Sequence, residues 1–128
     1  MIVGVGIDII EVERLGRDLT EKDGLAEEIF TRKEIAYCRT KRYPAQHFAA
    51  RFCVKEALFK ALGSGKRGNM SWRDIETIND AKGSPALRLR GAAKERAKRL
   101  KAGKIRVSLS HTRQFAAACV ILETNASK

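Results

Sequence analysis

Aromatic side chains make up only 6% of this 128-residue chain, which also holds just two prolines, three cysteines and one tryptophan. So few aromatics argue against a stacking platform for single-stranded nucleic acid, since strands such as "ALRLR" and "IRVSLSH" carry no interleaved rings. No apolar run approaches the roughly 20 residues of a membrane-spanning helix, so no membrane partner is expected. "MIVGVGID" lacks the basic start of a secretion signal, and a cytoplasmic location is the expectation. Cys38, Cys53 and Cys119 are odd in number and show no metal-like pairing, which argues against a disulfide scaffold or zinc site and predicts buried free thiols. No repeat or low-complexity linker interrupts the chain, so residues 1–128 are expected to form one domain.

What the sequence has in excess is positive charge. Lys and Arg number 26 against 15 Asp and Glu, a formal +11. Such a surface attracts a polyanion, whether nucleic acid, a phosphorylated ligand or an acidic protein. With 44% hydrophobic residues the chain can still bury one core.

The apolar periodicity predicts a mixed α+β arrangement with strands at both ends. Met1 to Ile10 reads as a buried strand. Gly16 and Gly24 should break the following polar stretch into short helices. Gln46 to Gly63 runs without an internal breaker, rich in Ala, Leu and Lys, and predicts a long helix ended by a left-handed glycine. "MSWRDIETIND" and "ALRLR" flank the turn "AKGSP" as a hairpin-like pair, and Gly91 to Gly103 reads as a basic helix. "IRVSLSH" alternates Ile105, Val107 and Leu109 against Ser108 and Ser110, and "FAAACVILE" reads as a mostly buried strand.

Asp8 stands out inside the first apolar run, where an ionised carboxylate needs compensation. Glu56 is the acid embedded in the long helix. If that helix packs on the sheet the two converge, and two carboxylates with room for water and phosphate are what Mg²⁺ accepts. Two plainer readings stand beside this one. Glu56 and Lys60, four apart, suit a helix ion pair, and Asp8 suits a cap or turn acid ending its strand. Arg51 and Lys55 form a second cationic pair on another helix face, by default solvated. "GSGK", Gly63 to Lys66, offers amides, a hydroxyl and a cation for a nucleotide, or merely a helix cap and turn.

"GIDIIEVER", "RFCVKEALFKAL", "KGSP" and "VSLSH" together, in order and over almost the whole chain, resemble the holo-acyl-carrier-protein synthases of the phosphopantetheinyl transferase superfamily. The resemblance implies that superfamily's fold, a small antiparallel sheet packed against a long helix. It implies transfer of 4′-phosphopantetheine from coenzyme A to a serine of apo-acyl carrier protein, in fatty acid biosynthesis, with release of adenosine 3′,5′-bisphosphate. Asp8 and Glu56 match the magnesium ligands, and Lys60 a group that steadies or protonates the departing phosphate. Glu56 or a metal-ordered water would accept the serine proton.

Under the same resemblance Arg51, Lys60, Gly63, Ser64, Gly65, Lys66, Pro85, Ser110, His111 and Thr112 become candidate coenzyme A contacts, with the planar Arg51 suited to the 3′-phosphate. Arg14 matches the arginine that docks the acidic carrier, with Arg17 and Lys22 as further candidates on that face. Ile10 stands where longer superfamily members carry a third acid, which fits the short type. That type assembles as a homotrimer with active sites at subunit boundaries. Two other classes remain compatible with the composition: a small basic nucleic-acid-binding module, and a non-catalytic interaction subunit with structural ion pairs.

Overall fold

The computed structural model describes residues 1–63 and 65–125. Strand β1 (Ile2–Glu11) runs antiparallel to β5 (Phe115–Glu123), which pairs in turn with β4 (Lys104–His111), giving a sheet of order β1-β5-β4. Between the first and last strands lie helices α1 (Val12–Glu21), α2 (Leu25–Ile29), α3 (Arg32–Arg39) and the long α4 (Pro44–Ala61). A 3-10 turn (Trp72–Asp74) leads into a hairpin of β2 (Ile75–Asn79) and β3 (Pro85–Leu89), followed by α5 (Gly91–Arg99). This is the expected small antiparallel sheet against a long helix. Among the described residues no helix is long and apolar enough to cross a membrane.

The two glycines before Asp8 explain how β1 meets α4. A Cβ on Gly6 would run into the carbonyl oxygen of Ala57, and one on Gly4 into that of Ala61. Only bare backbone lets the strand lie this close, and small alanines on the helix receive it. Ala49, Ala50, Cys53, Val54, Ala57, Leu58 and Ala61 of α4 bury against Ala116, Ala118, Val120 and Leu122 of β5 in one core. The helix begins two residues before Gln46, with Pro44 in its first turn where the missing N–H is harmless, and Gly63 follows its end at φ 96°.

Several expectations change. β1 is not buried on both faces: Ile2, Val5, Ile7 and Ile9 face outward, with Ile7 67% and Ile9 64% exposed. β5 likewise buries only alternate residues, which leaves Cys119 half-buried on the outer face while Cys38 and Cys53 are fully enclosed. Gly16 does not break a helix. It lies inside α1, where a Cβ would press on the methyl of Ala45 at 3.1 Å, so its smallness serves helix packing. Gly24, at φ 78°, is the true break. α5 stops at Arg99, short of Gly103, because Lys101 takes a left-handed turn at φ 61°.

The Arg51–Lys55 face is not solvated. Lys55 is wholly buried, and its ammonium donates to Glu34 Oε1 at 2.8 Å, to the Trp72 carbonyl at 3.0 Å and to the Ile75 carbonyl. Glu34 accepts in addition from the amides of Thr31 (2.9 Å) and Thr77 (3.0 Å), and the Thr31 hydroxyl donates to Glu76 Oε2 at 2.6 Å. This network ties α3 and α4 to the 3-10 turn and β2. Burial lowers the proton affinity of Lys55, and the Glu34 carboxylate opposes that shift.

Candidate active site

Asp8 is neither a cap nor a turn acid. It sits mid-strand opposite Ala118, and the helix that follows is entered through Glu11 without a side-chain cap bond. Strand alternation turns it toward α4 with Gly4 and Gly6, and α4 presents Glu56 and Lys60 next to the alanines that receive those glycines. Lys60 does not pair with Glu56 on its own helix. Its ammonium lies 3.1 Å from Asp8 Oδ1 and donates at 3.1 Å to the Ile7 carbonyl.

Glu56 is left half-buried without a cationic partner at ion-pair distance among the described residues. Burial first, and the charge of Asp8 second, raise its proton affinity, while Lys60 lowers it. The same two carboxylates act on Cys53, whose thiol burial and then Asp8 push up to about 12; it donates at 3.2 Å to the Ala116 carbonyl and is no nucleophile. Two adjacent carboxylates with one ammonium form an oxygen-rich, under-compensated site. Among the described residues no group of three or more His, Cys, Asp or Glu gathers to cage a metal. A pair of carboxylates with open positions suits Mg²⁺, which keeps water and takes phosphate oxygens. The donor set therefore fits.

Beside Asp8, from Ile9 onward, an apolar groove of about 600 Å³ opens between β1, α1 and α4. Arg14 and Lys22 stand on its α1 rim, with Phe52 and Phe115 across it. Lys22 is shared with Asp18 at 3.8 Å, and Arg17 is exposed but does not line the groove.

A second cluster lies toward the start of α4. Arg51 is 5% exposed, its guanidinium stacks 4.0 Å over the Tyr37 ring, and its buried Nε has no hydrogen-bond partner among the described residues. The plane of Tyr37 also carries Lys41 at 4.5 Å. His47 sets its ring 5.0 Å from that of His111 and 6.2 Å from that of Tyr37.

The remaining candidates scatter. His111 faces α4, whereas Ser110, its neighbour on the strand, points to the outer face beside Ile7 and Ala117. The Thr112 hydroxyl accepts from the amides of Gln114 and Phe115 at 3.2 and 3.0 Å, which spends it on the β4–β5 turn. The Gly63 and Gly65 amides donate to Lys60 and Phe59 carbonyls at the end of α4, so the cap reading of that loop accounts for them. Ser64 lies outside the described residues. Lys66 holds its ammonium 5.5 Å over the Trp72 ring, and Pro85 opens β3 opposite Asn79 just after the turn. Sequence reasoning missed Tyr37, Lys41 and His47; the only signal was His47 four residues before Arg51, on one helix face.

Comparison with known proteins decides the family. Residues 4–120 match the 4′-phosphopantetheinyl transferase superfamily. The chain belongs to it. It is 46% identical over 124 residues to a holo-[acyl-carrier-protein] synthase of Geobacter metallireducens, covering 96% of this chain and 98% of the relative. Among solved structures, a holo-(acyl-carrier-protein) synthase from Bacillus anthracis in complex with CoA (3′,5′-ADP) is similar with a TM-score of 0.81, at 35% identity and 98% and 99% coverage. The Neisseria meningitidis holo-[acyl-carrier-protein] synthase gives a TM-score of 0.86 at 30% identity, covering 97% of this chain and all of that one (100%). The transferase fold thus extends over nearly the whole chain, with Asp8 and Glu56 at the contact of its first strand and longest helix.

Proposed function

We propose that this superfamily member is a holo-acyl-carrier-protein synthase, transferring 4′-phosphopantetheine from coenzyme A to a serine of apo-acyl carrier protein and so serving fatty acid biosynthesis. The observation that carries the mechanism is the convergence of Asp8, Glu56 and Lys60 across the β1–α4 contact. The serine oxygen attacks the β-phosphorus of the pyrophosphate, the bond to the departing adenosine 3′,5′-bisphosphate breaks, and the serine proton passes to Glu56 or to a water beside it. Asp8 and Glu56 would hold Mg²⁺, which supplies charge neutralisation at the phosphoryl oxygens. Lys60 places a positive charge where the leaving phosphate gathers negative charge.

Arg51 and His111 are read as contacts for the 3′-phosphate end of the coenzyme, supported by the unpartnered Nε of Arg51. Gly63, Gly65, Lys66 and Pro85 border the nucleotide in this reading, with Lys66 contributing charge. Arg14, with Arg17 and Lys22 around it, meets the acidic carrier, and the groove beside Asp8 receives the apolar side of that partner. Three copies would close on the outward apolar face of the sheet, where Val5, Ile7 and Ile9 lie open beside Ala117, Cys119 and Ile121. Intact-mass analysis of an apo-acyl carrier protein incubated with coenzyme A, Mg²⁺ and the enzyme tests the reaction. A phosphopantetheine-sized gain that a chelator prevents is expected; no gain with several carriers overturns it.

A further inference from the structure

Four groups able to carry positive charge crowd one cluster around Tyr37: Lys41 after α3, His47 and Arg51 on α4, and His111 at the end of β4. Tyr37 of α3 lies among them, its hydroxyl made more acidic by its bond with Asn79 and by Arg51 and Lys41. The charges acting on His47 come from His111, Lys41 and Arg51, so every one of them opposes its protonation. The residue also sits in the first turn of an 18-residue helix, whose amide dipoles add to the positive potential. Burial is the largest of these influences and acts in the same direction, so the His47 imidazole is held toward its neutral form. The buried Nε of Arg51, without a hydrogen-bond partner among the described residues, completes a site that wants an anion.

This anion site is distinct from the one at Lys60. Arg51 and Lys60 stand nine residues apart on α4, roughly 13 Å along its axis at the usual rise. A single ligand that serves both must carry two separated anionic groups. Resting on the coenzyme A reading above, we infer that His47 takes up a proton as the 3′-phosphate monoester meets this cluster, making coenzyme binding proton-linked. An incoming dianion reverses the local field, so the imidazole that was kept neutral becomes a group able to add charge. The T-shaped approach of His47 and His111 then becomes a shared cradle for the phosphate.

Calorimetry on the full chain at about pH 7.5, in two buffers of different ionisation enthalpy, counts the protons taken up; the ligand's own phosphate, with a second pKa of about 6, is almost entirely dianionic there. Uptake is expected with coenzyme A and not with dephospho-coenzyme A. Above neutrality the affinity for coenzyme A should weaken with pH by up to about tenfold per unit. In His47→Gln both the uptake and that slope should largely disappear. Coenzyme A binding without uptake, or equal uptake in parent and variant, overturns the inference alone. No coenzyme A binding at any pH overturns the coenzyme reading with it. Should His47→Gln fail to fold, His47→Asn takes its place, and absence of uptake in the parent with coenzyme A overturns the inference by itself.

Discussion

Lys60 reaches from the long helix to Asp8 on the first strand, 3.1 Å away, and leaves Glu56 on its own helix without a paired cation among the described residues. The ammonium thus compensates one carboxylate of a two-carboxylate site, and the other stays available for a metal or a proton. Asp8→Ala and Glu56→Ala are each expected to lower turnover about 100-fold or more, the scale of losing a main electrostatic contact to a transition state. Circular dichroism should report an intact fold in both. Turnover within a few-fold of the parent would remove the metal assignment.

Glu56 also gives a pH-dependent signature without any substrate. Burial, and then Asp8, raise its proton affinity above that of an unfolded glutamate. A raised folded-state pKa means stability that is complete below the unfolded pKa of about 4.3 and is lost as pH rises through the folded value. At neutral pH the ionised Glu56 is therefore a destabilising charge. Glu56→Gln should melt higher than the parent in chelator at neutral pH, and the advantage should vanish near pH ~4. Added Mg²⁺ should raise the melting point of the parent more than that of the variant.

The elements were legible where periodicity spoke plainly: the long helix, the β2–β3 hairpin and the alternation of β4 came from pattern alone. The convergence of Asp8 and Glu56 needed the helix to lie on the strand, and the glycines that allow it were visible only as punctuation. Their partners, the Ala57 and Ala61 carbonyls, sit some fifty residues away, a distance no local pattern spans. Lys55 misled for a related reason. A lysine on a helix is solvated by default, and its burial depends on Glu34 arriving from another helix with two backbone carbonyls. The outward apolar face of β1 reads as buried because an Ile- and Val-rich strand does not say whether its second face meets a helix or another copy.

The Lys55–Glu34 pair makes a stability prediction independent of catalysis. Removing one partner leaves a buried charge with unsatisfied hydrogen bonds, so Glu34→Ala or Lys55→Met should cost about 3–5 kcal/mol. The double variant still strands the Thr77 amide and the Trp72 and Ile75 carbonyls. It should nevertheless lose less than the two single changes added together, because the second substitution removes a charge already without its partner. Denaturant unfolding of the four proteins checks this, and strict additivity would mean the pair is not coupled.

Arg14 tests how the carrier is met. It stands exposed on the α1 rim of an apolar groove, in a chain of net charge +11. An exposed arginine facing an acidic partner acts chiefly on encounter, so Arg14→Ala should raise the Michaelis constant for the carrier several-fold at low salt and leave the turnover number near that of the parent. The gap should close as ionic strength rises, since the screening length falls from about 30 Å at 0.01 M to about 10 Å at 0.1 M. Arg17→Ala, off the groove, should show a smaller shift. Equal effects of the two substitutions at every salt concentration would mean that the carrier responds to net charge alone and does not dock along this groove.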